Sequence, residues 1–265
     1  MANGTVVLTG ASGGMGRAVR SLLEKEGYCV WALDISGAED GHFIRTDITD
    51  ETSVQAAADH VASVSGKVDA VVHLAGIYDM NSLVEMPEED FVRIFNVNLF
   101  GMYRVNKAFV PLLNPASRII MVSSELAPLD PLPFTGIYAM TKSGIEKYAY
   151  SLRMELQLLG HSVSVVRPGA VKTPLLDVSQ KRIEAFCDNT QLYRDTSRRF
   201  LSIVNSVETA NVEPERLAAT VLRALEARRP RYVYNLNRSP LLLLFNILPQ
   251  HLQNRLIKRI LLPKK

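Results

Sequence analysis

Short apolar runs rich in Val and Ile recur along the chain, separated by longer stretches with helical spacing. The runs are Thr5–Thr9, Tyr28–Leu33, His42–Arg45, Val68–His73, Arg118–Ser123, Ser162–Arg167 and Arg231–Tyr234. Their cores read VVL, VVH, IIMV and VSVV. Continuous apolar cores of this kind belong to strands buried on both faces of a parallel sheet. Helical patterns fill the intervals at about Gly14–Glu26, Thr52–Ser65, Glu88–Leu113, Tyr138–Leu159 and Pro214–Arg228. This alternation predicts an α/β fold built on a doubly wound parallel sheet, with ligands at the carboxyl ends of its strands.

No repeat or low-complexity linker divides the chain before residue 228, so residues 1–238 read as one catalytic domain. Within it, residues 170–210 have the least regular pattern and are expected to form a substrate cap. Residues 239–265 read as an added amphipathic extension, a helix pair broken at Pro249.

Composition adds exclusions. The chain has 265 residues, 47% hydrophobic and 22% charged, ordinary values for a globular protein. The most apolar run, Leu241–Leu248, is interrupted by Asn246 and is too short to cross a membrane. The N-terminus enters a strand directly, so no cleaved signal is expected. Cys29 and Cys187 belong to no CxxC or Cys/His cluster, which argues against a disulfide scaffold or a metal site and for a reducing cytoplasm. Residues 228–265 hold nine Arg or Lys and no acid, leaving 21 basic and 27 acidic residues in the rest. That acidic body is no nucleic-acid binder, and the basic character is confined to the C-terminal segment.

The first run leads into Thr9-Gly10-Ala11-Ser12-Gly13-Gly14-Met15-Gly16, and a helix follows. Glycines here let the backbone turn tightly and approach a pyrophosphate, which a helix N-terminus favours. Glycines also mark ordinary strand–helix turns, so context decides. Asp34, 18 positions beyond Gly16, closes the second strand, completing a Rossmann-type dinucleotide unit. Gly10, Ser12, Gly14, Met15 and Gly16 are the expected phosphate-side contacts. The Asp34 carboxylate suits ribose hydroxyls and repels a 2′-phosphate, and residues 35–40 contain no Arg or Lys to receive one. The expected cofactor is NAD.

Tyr138-Ala139-Met140-Thr141-Lys142 sets a phenol and an ammonium four residues apart on one helix face. A Tyr with a pKa of about 10 is a poor base at neutral pH, and each unit of depression requires about 1.4 kcal/mol. A neighbouring Lys and a positive nicotinamide both favour the phenolate. Alone, such a pair is what any helix surface offers.

Five motifs in order resemble the short-chain dehydrogenase/reductase family, in its NAD-preferring hydroxysteroid and retinol types, over about residues 4–234. They are TGxxxGxG, Asn98 in Val-Asn-Leu-Phe-Gly, Ser123-Ser124, YxxxK, and Arg-Pro-Gly-Ala-Val-Lys-Thr-Pro at 167–174. The resemblance implies Tyr138 as general acid/base, Ser124 as the group orienting the substrate oxygen, and Lys142 as holder of the nicotinamide ribose. It implies Asn98 as support of a water relay, Asp47 and Ile48 as adenine contacts, Ala75 and Gly76 as cofactor contacts, and Pro168, Gly169 and Thr173 on the nicotinamide side. Two departures stand out. Leu74-Ala75-Gly76 replaces the usual Asn-Ala-Gly, which predicts weaker strand bracing. Ser124 lies 14 residues before Tyr138, one more than usual. The usual spacing falls on Glu125, which cannot donate when ionised, so Ser124 is preferred and Ser123 reads as a strand end. The extra residue is placed in Pro128–Pro133. His73 reads as a hydrogen-bonded core residue.

Two alternatives share the fold. A 3-oxoacyl-(carrier protein) reductase is disfavoured by Asp34 and by the C-terminal extension. A non-catalytic NAD-binding sensor or scaffold is disfavoured by the complete Asn-Ser-Tyr-Lys set. Leu175, Leu176, Val178, Ile183, Phe186, Tyr193, Phe200 and Leu201 in the cap, with Leu126, Leu129, Leu132 and Phe134, suit an apolar steroid-, retinoid- or lipid-like substrate. They equally suit a packed flap. A homodimer or homotetramer is expected, and the basic helix at Leu252, Leu256, Ile257 and Ile260 is expected to fold back on the body, pack on a second subunit or touch a membrane.

Overall fold

Seven parallel strands form one sheet: β1 (Thr5–Thr9), β2 (Cys29–Asp34), β3 (Phe43–Arg45), β4 (Val68–His73), β5 (Leu113–Val122), β6 (Ser162–Pro168) and β7 (Val233–Leu236). Their order is β3-β2-β1-β4-β5-β6-β7. The computed structural model describes residues 3–37, 40–207 and 211–262, with side chains except at 174–180 and 205–207. The helices are α1 (Gly14–Lys25), α2 (Glu51–Ser65), α3 (Glu88–Phe95), α4 (Gly101–Phe109), α5 (Gly136–Leu156), α6 (Pro174–Asn189), α7 (Arg194–Val207), α8 (Pro214–Glu226), α9 (Pro240–Ile247) and α10 (Gln250–Leu261).

The continuous apolar strands are buried on both sides. On β1, Val6 and Leu8 pack with α1 and α8, while Val7 packs with α2, α4 and α5. Each fully buried Val or Leu contributes about 1.5–3 kcal/mol, which drives the layering. The chain runs outward from β1 to β3, then returns to place β4 beside β1. That reversal opens a crevice at the carboxyl ends of β1 and β4, where ligands of such sheets bind.

Beyond shifts of one to three residues at element ends, β7 and the Tyr138 helix included, three expected elements differ. The helix expected over Glu88–Leu113 is interrupted by a wider π-helical turn at Asn96–Phe100 and ends in a 3-10 turn at Val110–Leu112. Pro111 cannot continue an α-helix, and β5 starts at Leu113, five residues earlier than expected. Residues 170–210, expected to be irregular, form α6 and α7. Pro174 at the first helical position marks the start. Ile183, Phe186 and Cys187 bury one face of α6 at helical spacing, among charged residues that mask the pattern in the sequence. The extension does form two helices broken at Pro249.

His73 is a core group: its Nε2 lies 2.9 Å from Asn106 Oδ1, and Asn106 Nδ2 donates to the Tyr148 hydroxyl at 3.1 Å. Burial pushes its pKa down to about 4, so the imidazole is neutral at physiological pH.

Candidate active site

The glycine loop is close-packed at two positions. Gly10 has φ +69°, and a Cβ there would stand 2.4 Å from the Ala75 amide. A Cβ at Gly16 would stand 2.0 Å from the Gly10 carbonyl oxygen. Helix α1 begins at Gly14 with no side-chain cap on Gly13 and no acid in its first turn. Its first amides are therefore free of side-chain competition, and the positive helix end faces a cradle that only glycines allow. This arrangement fits a diphosphate. Ser12 and Gly14 lie in the cradle, and Met15 packs partly into the core.

Asp34 closes β2 beside this loop. Its Oδ2 accepts from the Ser12 amide at 2.9 Å, and its Oδ1 from the Ser36 amide at 3.4 Å. Sequence reasoning, confined to residues 35–40, missed two nearby cations. Arg45 on β3 is in register with Asp34, and Arg17 donates to the Ser12 carbonyl. Only strand pairing reveals Arg45. Asp47 accepts from the amide and hydroxyl of Thr49, at 2.8 and 2.7 Å, and Ile48 is buried against Gly101.

The β4 loop is braced without the usual Asn. Leu74 N donates to the Thr9 carbonyl at 3.2 Å, and Ala75 N to Thr9 Oγ1 at 3.4 Å. Asn98, buried in the π-helical turn, accepts from Ile77 N at 2.8 Å and donates to the Ile77 carbonyl at 2.9 Å. It also donates to Thr141 Oγ1 at 3.1 Å. Asn98 thus ties the β4 loop to the helix that carries Tyr138 and Lys142, and π-bulges commonly mark such sites. Gly76 sits over both side chains: a Cβ there would lie 3.3 Å from Asn98 Oδ1 and 3.9 Å from Lys142 Nζ.

Ser124, at the end of β5, shares a hydrogen bond with the Tyr138 hydroxyl and accepts from Leu126 N at 3.2 Å. Its neighbours are engaged elsewhere. Ser123 donates to Glu146 Oε1 at 3.0 Å, and Glu125 accepts from Ser239 N at 2.6 Å. Lys142 Nζ donates to the Val122 carbonyl at 3.2 Å and lies 5.4 Å from the Tyr138 ring centroid. The expected depression of the Tyr138 pKa by Lys142 is not found in the chain alone. Burial pushes the phenol well above its ordinary value, opposed by the Ser124 hydrogen bond. Burial also pushes Lys142 down to about 8. Desolvation disfavours each charged form and is the largest cause for both groups.

Where the nicotinamide side is expected, Pro168 accepts from Glu125 N at 2.8 Å and Gly169 donates to the Leu236 carbonyl at 2.8 Å. A Cβ on Gly169 would stand 1.9 Å from the Asn237 carbonyl oxygen. Thr173 is buried at the start of α6.

Over the site lies an apolar cluster. Met80, Ile183, Phe186, Cys187, Phe200 and Leu261 are its buried members, with Tyr78, Leu132, Phe134, Tyr193 and Leu201 among those packed against it. Phe134 stacks with Phe186, Tyr193 and Phe200 at centroid distances of 4.8, 5.2 and 5.3 Å. The Tyr78 ring stands 4.5 Å from that of Tyr138, so the cluster reaches the phenol. Leu126 and Leu129 are half-buried in the loop after Ser124. The side chains of Leu175, Leu176 and Val178 lie outside the described residues. No His, Cys, Asp and Glu group able to hold a metal occurs among the described residues.

Comparison with known proteins agrees with this arrangement. Residues 4–184 match the family model described as short chain dehydrogenase. The human protein named retinol dehydrogenase 5 is 32% identical over 260 residues, 88% of this chain and 80% of that one. A Bacteroides thetaiotaomicron protein named 3-ketodihydrosphingosine reductase is 27% identical over 232 residues, 86% of this chain and 85% of its own. Among solved structures, ligand-free aldohexose dehydrogenase from Thermoplasma acidophilum superposes with TM-score 0.74 at 24% identity, covering 90% of this chain and 96% of that one. A 3-ketoacyl-(acyl-carrier-protein) reductase from Brucella melitensis complexed with NADH gives 0.72 at 22% identity, over 88% and 96%.

Proposed function

This chain belongs to the short-chain dehydrogenase family, an oxidoreductase working with a nicotinamide cofactor, and we propose that it is NAD-preferring and acts on an apolar, lipid-like secondary alcohol or ketone. The observation that carries the substrate reading is the aromatic and aliphatic cluster that abuts Tyr138 through Tyr78. The relatives named for 3-ketodihydrosphingosine and for retinol, both lipids, support it.

The glycine loop Gly10 to Gly16 and the first amides of α1 would hold the diphosphate of a bound nicotinamide cofactor, and Asp34 would take the adenosine ribose. Ala75, Gly76, Pro168, Gly169 and Thr173 would line the nicotinamide half, and Lys142 would hold its ribose; when bound, the cofactor would supply or accept a hydride. Ser124 orients the substrate oxygen. Tyr138, held protonated by burial, donates to the oxygen as a carbonyl is reduced and takes the proton back in the reverse direction. Asn98 fixes Thr141, and with it the turn of α5 that presents Lys142. Exposed Phe100, Tyr103, Met140, Tyr150 and Met154 on and beside α4 and α5 support assembly with further copies of the chain.

Cofactor choice rests on Asp34, whose charge opposes a 2′-phosphate. We expect kcat/KM with NADH to exceed that with NADPH by at least about tenfold, equivalent to about 1.4 kcal/mol of charge repulsion. Asp34→Ala combined with Ser36→Arg narrows the gap. Equal values, or a preference for NADPH, would show that Arg45 and Arg17 receive the phosphate and overturn the assignment.

A further inference from the structure

The C-terminal helix pair is built differently from the rest of the surface. Helix α9, with sequence PLLLLFNI, has no buried residue. Leu241, Leu244 and Ile247 recur every three residues along it and are 61%, 64% and 78% exposed. Helix α10 turns Gln253, Ile257 and Leu261 toward the body, where Leu261 is buried in the apolar cluster and Ile257 packs against it. Its Leu252, Leu256 and Ile260 face outward, 39%, 40% and 45% exposed. The stripe expected to be covered by folding back is therefore only partly covered: Ile257 goes in and the other three stay out. Arg255 and Arg259, each one position before Leu256 and Ile260, are also exposed and border the outward stripe.

The pair is anchored, so this face is a fixed one. Asn246 Oδ1 accepts from Asp130 N at 2.6 Å, and Gln253 Nε2 donates to Asp130 Oδ2 at 3.3 Å. Arg199 Nη1 donates to the Leu262 carbonyl at 2.6 Å. Glu125, next to Ser124, accepts from Ser239 N at the start of α9.

We propose that the outward face of α9 and α10 docks on an anionic lipid surface. Charge selects this occupant: from residue 239 onward the chain carries five Arg or Lys and no Asp or Glu. Apolar side chains entering the interface, with arginines at headgroup level, are the physical signature of peripheral binding. A second copy presenting the same face would set arginine against arginine across a symmetric contact. The geometry also links surface to site. The helix whose outer face meets lipid has its inner face, Ile257 and Leu261, in the wall of the cluster that reaches Tyr138. This deepens the lipid-substrate reading and rests on it for the route, while docking itself is measured without substrate.

The full chain is sedimented with vesicles of phosphatidylcholine alone and of phosphatidylcholine with about 30% phosphatidylserine. Binding to the anionic vesicles is expected, at least about tenfold weaker on the neutral ones and about tenfold weaker again in salt of about 0.5 M. Leu244→Ser with Ile247→Ser and Leu256→Ser, and separately Arg255→Glu with Arg259→Glu, each reduce it by at least about tenfold. The arginine pair, fully on the surface, carries the test if the apolar variant fails to fold. No sedimentation at low salt, or sedimentation that neither variant changes, overturns the proposal. So does a face that turns out to join two copies, seen when the apolar variant dissociates an assembly that ignores vesicles. Docking without turnover of any apolar ketone would refute the substrate reading and leave docking standing; turnover of micellar lipid without docking would do the reverse.

Discussion

Tyr138→Phe is expected to lose about 10²–10⁴-fold in kcat while binding NADH as tightly as the parent, within about threefold. The substitution deletes one oxygen at a position where Ser124 is the hydrogen-bond partner. It leaves the glycine loop, Asp34 and Lys142 untouched. The Tyr138 side chain is half-buried and desolvation raises its pKa, so at neutral pH it carries its proton and can donate it to a carbonyl oxygen. Removing it takes away an interaction that matters in the transition state, so kcat should fall while cofactor affinity holds. Fluorescence titration with NADH and turnover of the same preparation check both halves. A variant retaining a substantial fraction of kcat would place proton transfer on another group.

Lys142→Met is expected to damage both turnover and cofactor affinity, yet to leave the protein at least as stable below pH 8. The sign follows from the pKa. Lys142 is held at about 8 in the folded chain against 10.5 as its ordinary value. Between those values the unfolded chain binds more protons, so the parent gains stability as pH rises from about 8 toward 10.5. Below 8 both states are protonated and the cost of burying the ammonium is fully present, on the order of 3 kcal/mol. Part of the gain from removing it is offset because the Val122 carbonyl loses its donor. A turnover loss of about 100-fold or more, with a melting temperature unchanged or higher at pH 7, separates a role at the cofactor from a structural one. A variant that unfolds at pH 7 would make Lys142 a structural residue.

The chain declares its sheet through local pattern and hides most of what depends on pairing. β1 and β4 fall where their apolar runs stand, Thr5–Thr9 and Val68–His73, because strands buried on both faces read as short, nearly continuous apolar runs. The cap helices were obscured: α6 carries Lys181, Arg182, Glu184 and Asp188 around three buried residues, and only the fold shows which face turns inward. The site divides in the same way. The Gly10–Gly16 loop, Asp34, Tyr138 and Lys142 are visible as motifs because their chemistry requires fixed spacing. Arg45 beside Asp34, Tyr78 against Tyr138, and Thr9 bracing Ala75 depend on neighbours far apart in the chain. The role of Glu125 was equally hidden. The spacing from Tyr138 set it aside as a poor donor, and the fold uses it as an acceptor holding the start of α9.

In the proposed reaction a hydride passes between nicotinamide and the carbonyl carbon of an apolar ketone at Tyr138. Its most direct test is mass spectrometry of the alcohol formed when the protein reduces long-chain ketones and retinoids with NADH carrying deuterium at both hydrogens of the nicotinamide C4. Each turnover should place one deuterium on the carbinol carbon, and Tyr138→Phe should form almost none of that product. Protein that binds NADH yet leaves every apolar carbonyl unlabelled, while reducing only polar ones, would contradict the account.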